Sequence, residues 1–179
     1  KILIKEGDLP AGYFGAQIRD FAPKKFDEIP PAQNTIYQQL GIKHESALGG
    51  HTAGGITVFL YNSENDIKKH YEQILDGLFL SKEEAKSANV NGLDGMTDDE
   101  IKKALRKSKV NIGEEGIFHT TVATIDALNI KTQFNHLIFI RCHAVVDILI
   151  TNTSDEDSVI AYAKRLDERL KSSKAICKT

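Results

Sequence analysis

Apolar and polar positions alternate most regularly between Leu137 and Thr151. One row of this stretch is apolar throughout, with members two residues apart: Ile138, Ile140, Cys142, Ala144, Val146, Ile148 and Ile150. A spacing of two is typical of a β-strand, and the row is expected to face the core. The stretch is longer than the usual strand of about 5 to 6 residues. One long bent strand and a hairpin turning near Cys142 and His143 both fit, since no Gly or Pro marks a turn.

Two amphipathic segments predict the main helices. Ser63 opens the first, where Asp66 is placed to complete a capping box, and Ser154 or Asp155 opens the second. In each segment apolar residues then recur at helical spacing and form one buried stripe. The stripes are Ile67, Tyr71, Ile74 and Leu78 in the first segment, and Val159, Ala163, Leu166 and Leu170 in the second.

Strands are expected before both helices and at further places. Ile56 to Tyr61 precedes the first helix, and Val145 to Ile150 precedes the second. Thr35 to Ile42 and Gly54 to Tyr61 flank a glycine-rich stretch and predict a hairpin. Gly116 to Leu128 also alternates apolar and polar positions and predicts a strand. These elements predict an α+β domain in which two main α-helices pack on an antiparallel β-sheet.

A polar segment, from about Ser81 to Gly116, is expected to be an insertion at the surface. It contains a capping box, Thr97 to Glu100, followed by apolar residues, so a short helix is predicted within it. The basic residues of this helix are expected to form a solvated face. They are Lys102, Lys103, Arg106, Lys107 and Lys109. With this insertion, residues 1–179 are predicted to form a single globular domain.

Composition and charge narrow the function classes. The chain is 41% hydrophobic and 27% charged, as in ordinary globular proteins. Its 23 basic and 25 acidic residues give a formal charge of −2, and no basic run is interleaved with aromatic residues. Nucleic acid is therefore not an expected partner. No apolar stretch reaches the roughly 20 residues that cross a bilayer, so a membrane is expected to be reached only through a removed N-terminal anchor.

The chain has two cysteines, and their placement favours a disulfide between them. Cys142 lies beside an apolar strand, and Cys177 follows the last helix near the chain end, where order otherwise fails. The bond would close a loop of about 35 residues, which stabilises by roughly 3 to 4 kcal/mol. Two free thiols are the alternative. A cysteine pair in a chain that begins at Lys1 rather than Met predicts an exported, extracytoplasmic domain whose leader or anchor has been removed.

Residues with candidate chemistry are few. The sequence has no G-x-S-x-G or H-E-x-x-H motif, no calcium loop and no P-loop, so no metal and no cofactor is predicted. His44 and His51 are the one local pair of histidines. Arg141, His143 and Asp147 would point the same way if they belonged to one strand, and they are the candidate pocket on the second face of the sheet. A polar outer face of an antiparallel sheet gives the same pattern.

Several short motifs, spread over most of the chain, resemble the extracytoplasmic domains of small bacterial lipoproteins and sensor proteins with a PsbP-like α/β/α sandwich. They are Asp8-Leu9-Pro10 with Gly12, the strand and helix from Val58 to Leu78, Val90 to Gly95, Phe139 to Val146, and Ala161 to Leu166. The chain departs from this pattern in its longer segment before Gly116 and in a Cys where a Gly-type turn would be expected. The resemblance implies binding or sensing outside the membrane and carries over no functional residue.

The expected function is that of an exported, non-catalytic domain that binds a small ligand or a protein, as the soluble part of a lipoprotein or sensor. A structural or assembly domain that acts through a protein interface, with a homodimer through the exposed sheet, is the first alternative. A hydrolase is the second. It would require His119 or His143 beside a Ser, a Thr or a carboxylate in a closed cleft.

Overall fold

Seven strands and two helices are present in a computed structural model that describes residues 13–21, 34–42, 51–78, 105–125, 130–151 and 156–177. The strands are β1 (Tyr13–Phe21), β2 (Asn34–Ile42), β3 (His51–Leu60), β4 (Leu105–Lys109), β5 (Glu115–Ile125), β6 (Ile130–Arg141) and β7 (Ala144–Thr151). The helices are α1 (Glu64–Leu78) and α2 (Glu156–Lys171).

The strands form one sheet in the order β1-β2-β3-β7-β6-β5-β4, and every neighbouring pair is antiparallel. Strands consecutive in the chain are neighbours in the sheet for β1 and β2, β2 and β3, β4 and β5, β5 and β6, and β6 and β7. The pairing of β3 with β7 then joins the two halves of the sheet. The predicted α+β class, with two helices on an antiparallel sheet, is therefore confirmed.

The two helices cover opposite faces of the sheet. Strand residues alternate between faces, so Leu137 and Phe139 pack with α2 while Ile138 and Ile140 pack with α1. We call the buried residues around α2 the large core and those around α1 the small core. Among the described residues, the large core comprises Ile56, Val58, Ile112, Phe118, Leu137, Phe139, Ala144, Val146, Ile148, Ile150, Val159, Tyr162, Ala163, Leu166, Leu170 and Ile176. The small core comprises Tyr61, Ile67, Tyr71, Ile138, Ile140 and Val145.

Both helix stripes lie where their spacing predicts. The four stripe residues of α2 are all buried, and in α1 the stripe residues Ile67 and Tyr71 are buried. The amide of Ile67 donates a hydrogen bond to the carbonyl oxygen of Ser63 at 3.2 Å, so α1 begins at the predicted cap. Leu78 is helical, and Ser154 and Asp155 lie outside the described residues.

The stretch from Leu137 to Thr151 is a hairpin, one of the two arrangements that the sequence allowed. Arg141 pairs with Ala144, which leaves Cys142 and His143 as a two-residue turn. Because the chain reverses there, the apolar row predicted from Ile138 to Ile150 does not stay on one face. Its members before the turn face α1, and those after it face α2.

Two strands lie where the sequence predicted none. Leu105–Lys109 pairs with β5 as an edge strand, so Arg106, Lys107 and Lys109 belong to the sheet rather than to a helix in an insertion. Tyr13–Phe21 forms the opposite edge of the sheet. The predicted helix after Thr97 and the rest of the polar segment lie outside the described residues.

Candidate functional site

The β6–β7 turn is the point at which most of the polar contacts between elements meet. Cys142 has φ 52°, in the left-handed region, and the next residue does not. These are the φ signs of a type II′ hairpin turn, whose first central position is usually Gly. The amide of Cys142 donates a hydrogen bond to Glu114 Oε1 at 2.8 Å, and the amide of Glu114 donates one to the carbonyl oxygen of Ile140 at 2.8 Å. The β4–β5 loop is thereby fixed against the turn.

A disulfide joins Cys142 to Cys177, as predicted, with the two Cα atoms 5.2 Å apart. The segment after α2 folds back to make this bond possible. The amide of Cys177 donates to the carbonyl oxygen of Ser173 at 2.8 Å, and Ile176 is buried in the large core. The chain end is therefore held both by the covalent bond and by apolar packing.

An ion pair fixes the other side of the turn. Arg141 donates from Nε to Asp167 Oδ1 at 2.5 Å and from Nη2 to Asp167 Oδ2 at 2.7 Å. Asp167 Oδ2 also accepts a hydrogen bond from the amide of Gly113 at 3.1 Å. The hydrogen bond to Asp167 raises the pKa of Arg141 above its ordinary value. This pair thus connects the turn, helix α2 and the β4–β5 loop.

On the α1 side of the turn lies an open cleft of about 270 Å³. Its lining combines the first turns of α1, the start of β5 with the loop before it, and the hairpin turn. The lining residues are Glu64, Ile67, Lys68, Glu114, Glu115, Ile140, Cys142 and His143. The lining therefore includes three glutamates, one lysine and one histidine, and Glu114 among them accepts the amide of Cys142.

His143 has a buried ring atom without a partner at this cleft. Its Nδ1 is inaccessible to solvent and makes no hydrogen bond with any described residue. The carbonyl oxygen of His143 accepts a hydrogen bond from the amide of Tyr61 at 2.9 Å, which fixes the backbone of the turn to the end of β3. A buried polar atom without a partner costs about 1 to 3 kcal/mol, so a ligand that pairs with it would gain binding energy.

The three predicted pocket residues lie in three different environments. His143 lines the cleft, Arg141 pairs with Asp167 towards α2, and Asp147 contacts His136 Nε2 on the α1 side. The prediction assumed that alternate residues of one strand share a face. The chain reverses at Cys142, so this assumption does not hold. Arg141 lies on the α2 face of the sheet with Ala144, whereas Asp147 lies on the α1 face.

Helix α1 carries a buried histidine, His70, that the sequence analysis did not single out. His70 is 2% exposed, its Nδ1 contacts the hydroxyl of Tyr61, and its ring meets the ring of Phe59 edge-on with centroids 4.5 Å apart. Burial lowers the pKa of His70 to about 4, and the negative charge of Asp147 opposes this shift. Burial raises the pKa of Tyr61 above its ordinary value, so its hydroxyl stays protonated beside the ring of His70.

A second set of histidines lies further along the same face. His119 and His136 are directly opposite each other on β5 and β6, and His119 is 5% exposed. His136 contacts the carboxylate of Asp147, so one histidine of this face that the hydrolase alternative did not name lies beside a carboxylate. Within the described ranges, no group of three or more His, Cys, Asp or Glu residues could hold a metal ion. His44 lies outside those ranges.

Neither α1 nor α2 is long and apolar enough to cross a membrane. No protein-family model, no curated protein and no solved structure matches this chain. The cleft beside the disulfide and the buried His70 are therefore the two features from which function is inferred.

Proposed function

We propose that this chain is an exported, non-catalytic domain that binds a small polar ligand in the cleft beside the Cys142–Cys177 disulfide. The buried Nδ1 of His143, which makes no hydrogen bond with the described residues, is the observation that carries the proposal. A polar atom in this state indicates a place that a ligand group or an ordered water completes. Convergent polar groups beside an apolar wall are typical of a ligand site, and Ile67 and Ile140 supply that wall.

The charges of the cleft select the ligand class. Glu64, Glu114 and Glu115 outnumber Lys68, so the lining has more carboxylate groups than ammonium groups. A ligand with an amino or guanidinium group matches this lining, because an amino or guanidinium donor and a carboxylate form charge-assisted hydrogen bonds. Once the ring of His143 turns towards the cleft, its Nδ1, which has no accessible surface in this structure, would accept an N–H of the same group.

The contacts around the turn favour binding over catalysis. The disulfide, the amide bond to Glu114 and the Arg141–Asp167 pair hold the wall of the cleft in one position. Such preorganisation reduces the entropy lost on binding. The described lining of the cleft contains no Ser, Thr or free thiol, so it supplies no hydroxyl or thiol nucleophile for the hydrolase alternative.

The proposal also covers the compartment in which the protein lies and the fold family that it resembles. A disulfide is compatible with an oxidising, extracytoplasmic compartment. Helices on opposite faces of an antiparallel sheet are compatible with a PsbP-like α/β/α sandwich, and hence with the soluble part of a lipoprotein or sensor. A protein-interface function is the second candidate, and a contiguous exposed apolar patch would favour it. Among the side chains described, Leu149, at 36%, is the one large apolar residue that is exposed.

Native mass spectrometry of unreduced protein from its own host tests the proposal. The expected mass is that of the sequence less the two hydrogens of the disulfide, with an adduct that is lost from His143→Ala and kept by Lys164→Ala. Lys164 is an exposed residue of α2, far from the lining of the cleft.

An NMR titration with agmatine provides a second test that needs no retained ligand. Agmatine carries an amino and a guanidinium group, and succinate is the matched anionic control. We expect agmatine to shift the signals of Glu64, Glu115 and His143, and succinate to leave them in place. A bare mass together with no shift for agmatine would rule out the proposed site.

A further inference from the structure

His70 is a titratable group in a place where a charge cannot be accommodated. It lies on the face of α1 that packs on the sheet, with its ring edge-on to Phe59 and in contact with the hydroxyl of Tyr61. A neutral ring can pair with the Tyr61 hydroxyl in either tautomer, because that hydroxyl both donates and accepts. Protonation of the ring would place a cation in this apolar interface, where the loss of its hydration is costly.

The charged groups around His70 offer it little compensation. On the sheet, the carboxylate whose charge acts on His70 is Asp147 of β7. This carboxylate is in contact with His136 of β6, which lies opposite His119 of β5. Two further acids act on the neighbouring tyrosines rather than on His70. Asp66 of α1 raises the pKa of Tyr61, and Glu115 of β5 raises the pKa of Tyr71.

The two sides of the sheet differ in how firmly their helices are held. In the described part of the chain, α1 belongs to a small core of six buried residues, whereas α2 belongs to a large core of sixteen. The Cys142–Cys177 disulfide and the Arg141–Asp167 pair also lie at α2 and its C-terminal extension. Release of α1 alone therefore exposes far less apolar surface than global unfolding does.

Tyr61 connects His70 to the cleft. Its hydroxyl contacts His70, and its amide donates to the carbonyl oxygen of His143 at 2.9 Å. The first turns of α1 supply Glu64, Ile67 and Lys68 to the lining of the cleft. A displacement of α1 would therefore remove one wall of the cleft and loosen the backbone that positions its histidine.

We propose that α1 is an acid-released element: protonation of His70 detaches the helix from the sheet while the large core stays folded, and the cleft loses one wall. Detachment of α1 stands on the His70 geometry alone, and only the consequence for a ligand rests on the proposed function. An exported domain built in this way would bind at neutral pH and release its ligand in an acidic compartment.

The direction of the effect follows from linkage. Burial lowers the pKa of His70 to about 4 while α1 is docked, against an ordinary value of 6.5. Between these two values the undocked state binds more protons than the docked state, so a fall in pH favours release. Above the ordinary value both states are neutral, and pH has no effect through this group.

Methyl NMR of isoleucine-labelled protein without ligand tests the release of α1. Ile67, Ile138 and Ile140 report on the small core, and Ile56, Ile148 and Ile176 report on the large core. As the pH falls from 7 to 4, we expect the first set to lose its native shifts while the second set keeps them. In His70→Gln, which does not titrate, the midpoint should fall by about one pH unit or more. His136→Gln, which retains His70, should keep the transition.

The side-chain carbon shifts of His70 provide a measurement that does not depend on any variant. A His70 that titrates near its ordinary pKa while the small-core signals remain native would overturn the proposal. Loss of both sets of methyl signals at one pH, unchanged in His70→Gln, would also overturn it. The methyl NMR experiment uses no ligand, so its result does not depend on whether the cleft binds agmatine. The release of α1 and the ligand site can therefore fail separately.

Discussion

Arg141 and Asp167 form a two-bond ion pair between the β6–β7 hairpin and helix α2. The Nε–Oδ1 and Nη2–Oδ2 distances are 2.5 and 2.7 Å, and the same carboxylate accepts the amide of Gly113. Paired bonds from one guanidinium to one carboxylate fix orientation as well as distance. The pair therefore determines where the turn, and with it the cleft, lies relative to α2.

Replacing Asp167 with Asn should lower the free energy of unfolding by about 2 to 4 kcal/mol, because Arg141 keeps its charge and loses its partner in a mostly buried place. Urea unfolding at neutral pH measures the difference. Glu72→Gln is the control, since Glu72 is an exposed acid of α1 and its charge is not among those that act on Arg141. It should change stability by no more than about 0.5 kcal/mol. Equal effects of both substitutions would mean that the pair contributes nothing specific.

Cys177→Ser should lower the melting temperature without abolishing the fold, because the large core remains. The loop between the cysteines spans 35 residues, and its closure stabilises by roughly 3 to 4 kcal/mol. The double variant with Cys142→Ser should be about as stable as either single variant, since all three lose the same bond. A thiol count on unfolded, unreduced wild type should find no free thiol. Two reactive thiols would contradict the disulfide and the argument for export.

The helices and the hairpin between β2 and β3 could be predicted from spacing, whereas the two edge strands could not. In β1 the pairing register shifts between Gly15 and Gln17, and this irregularity breaks the two-residue period by which a strand is recognised. Strand β4 is short and rich in charge, as edge strands often are. The alternation of apolar and polar residues therefore does not reveal β1 and β4, which become recognisable as strands only through their pairing with β2 and β5.

The candidate site was harder to predict, because it depends on a reversal that leaves no mark in the sequence. Cys142 takes the positive φ that usually requires Gly, so nothing distinguished a hairpin from one strand. The position of His70 did carry a signal. It follows Ile67 by three residues and precedes Ile74 by four, so it belongs to the buried stripe of α1. Its contact with Tyr61 could not be predicted, since it depends on how α1 packs on β3.

Gly113→Ala should destabilise the protein by roughly 2 kcal/mol or more. Gly113 has φ +70°, and a Cβ built there would lie 2.2 Å from the carbonyl oxygen of Ile140. The loop would have to move, which breaks the bond from the Gly113 amide to Asp167. Asn111→Ala, in the same loop and exposed, is the control and should be nearly neutral in thermal unfolding. A Gly113→Ala protein as stable as this control would show that the loop adapts freely.

The stability of the wild type should depend on pH through His70. With a pKa of about 4 in the folded protein and 6.5 in the unfolded chain, this group withdraws about 3 kcal/mol of stability as the pH falls from 6.5 to 4. The stability that the neutral, buried ring provides is fully present above pH 6.5 and is lost as the pH falls from 6.5 towards 4. Urea unfolding at several pH values should show this loss relative to His70→Gln. Parallel pH profiles for the two proteins would contradict a neutral, buried His70.

Leu166→Ala should cost about 2 to 5 kcal/mol, the range for removing a buried leucine side chain. Leu166 has no exposed surface and lies in the large core, where α2 packs on the sheet. Leu149→Ala is the matched control, since Leu149 is 36% exposed on the other face of the same sheet. The difference between the two variants in urea unfolding isolates burial from the change of residue type. A cost below about 0.5 kcal/mol for Leu166→Ala, the level of an ordinary surface substitution, would mean that α2 presents a different face to the sheet, and that the Arg141–Asp167 pair could not form as described.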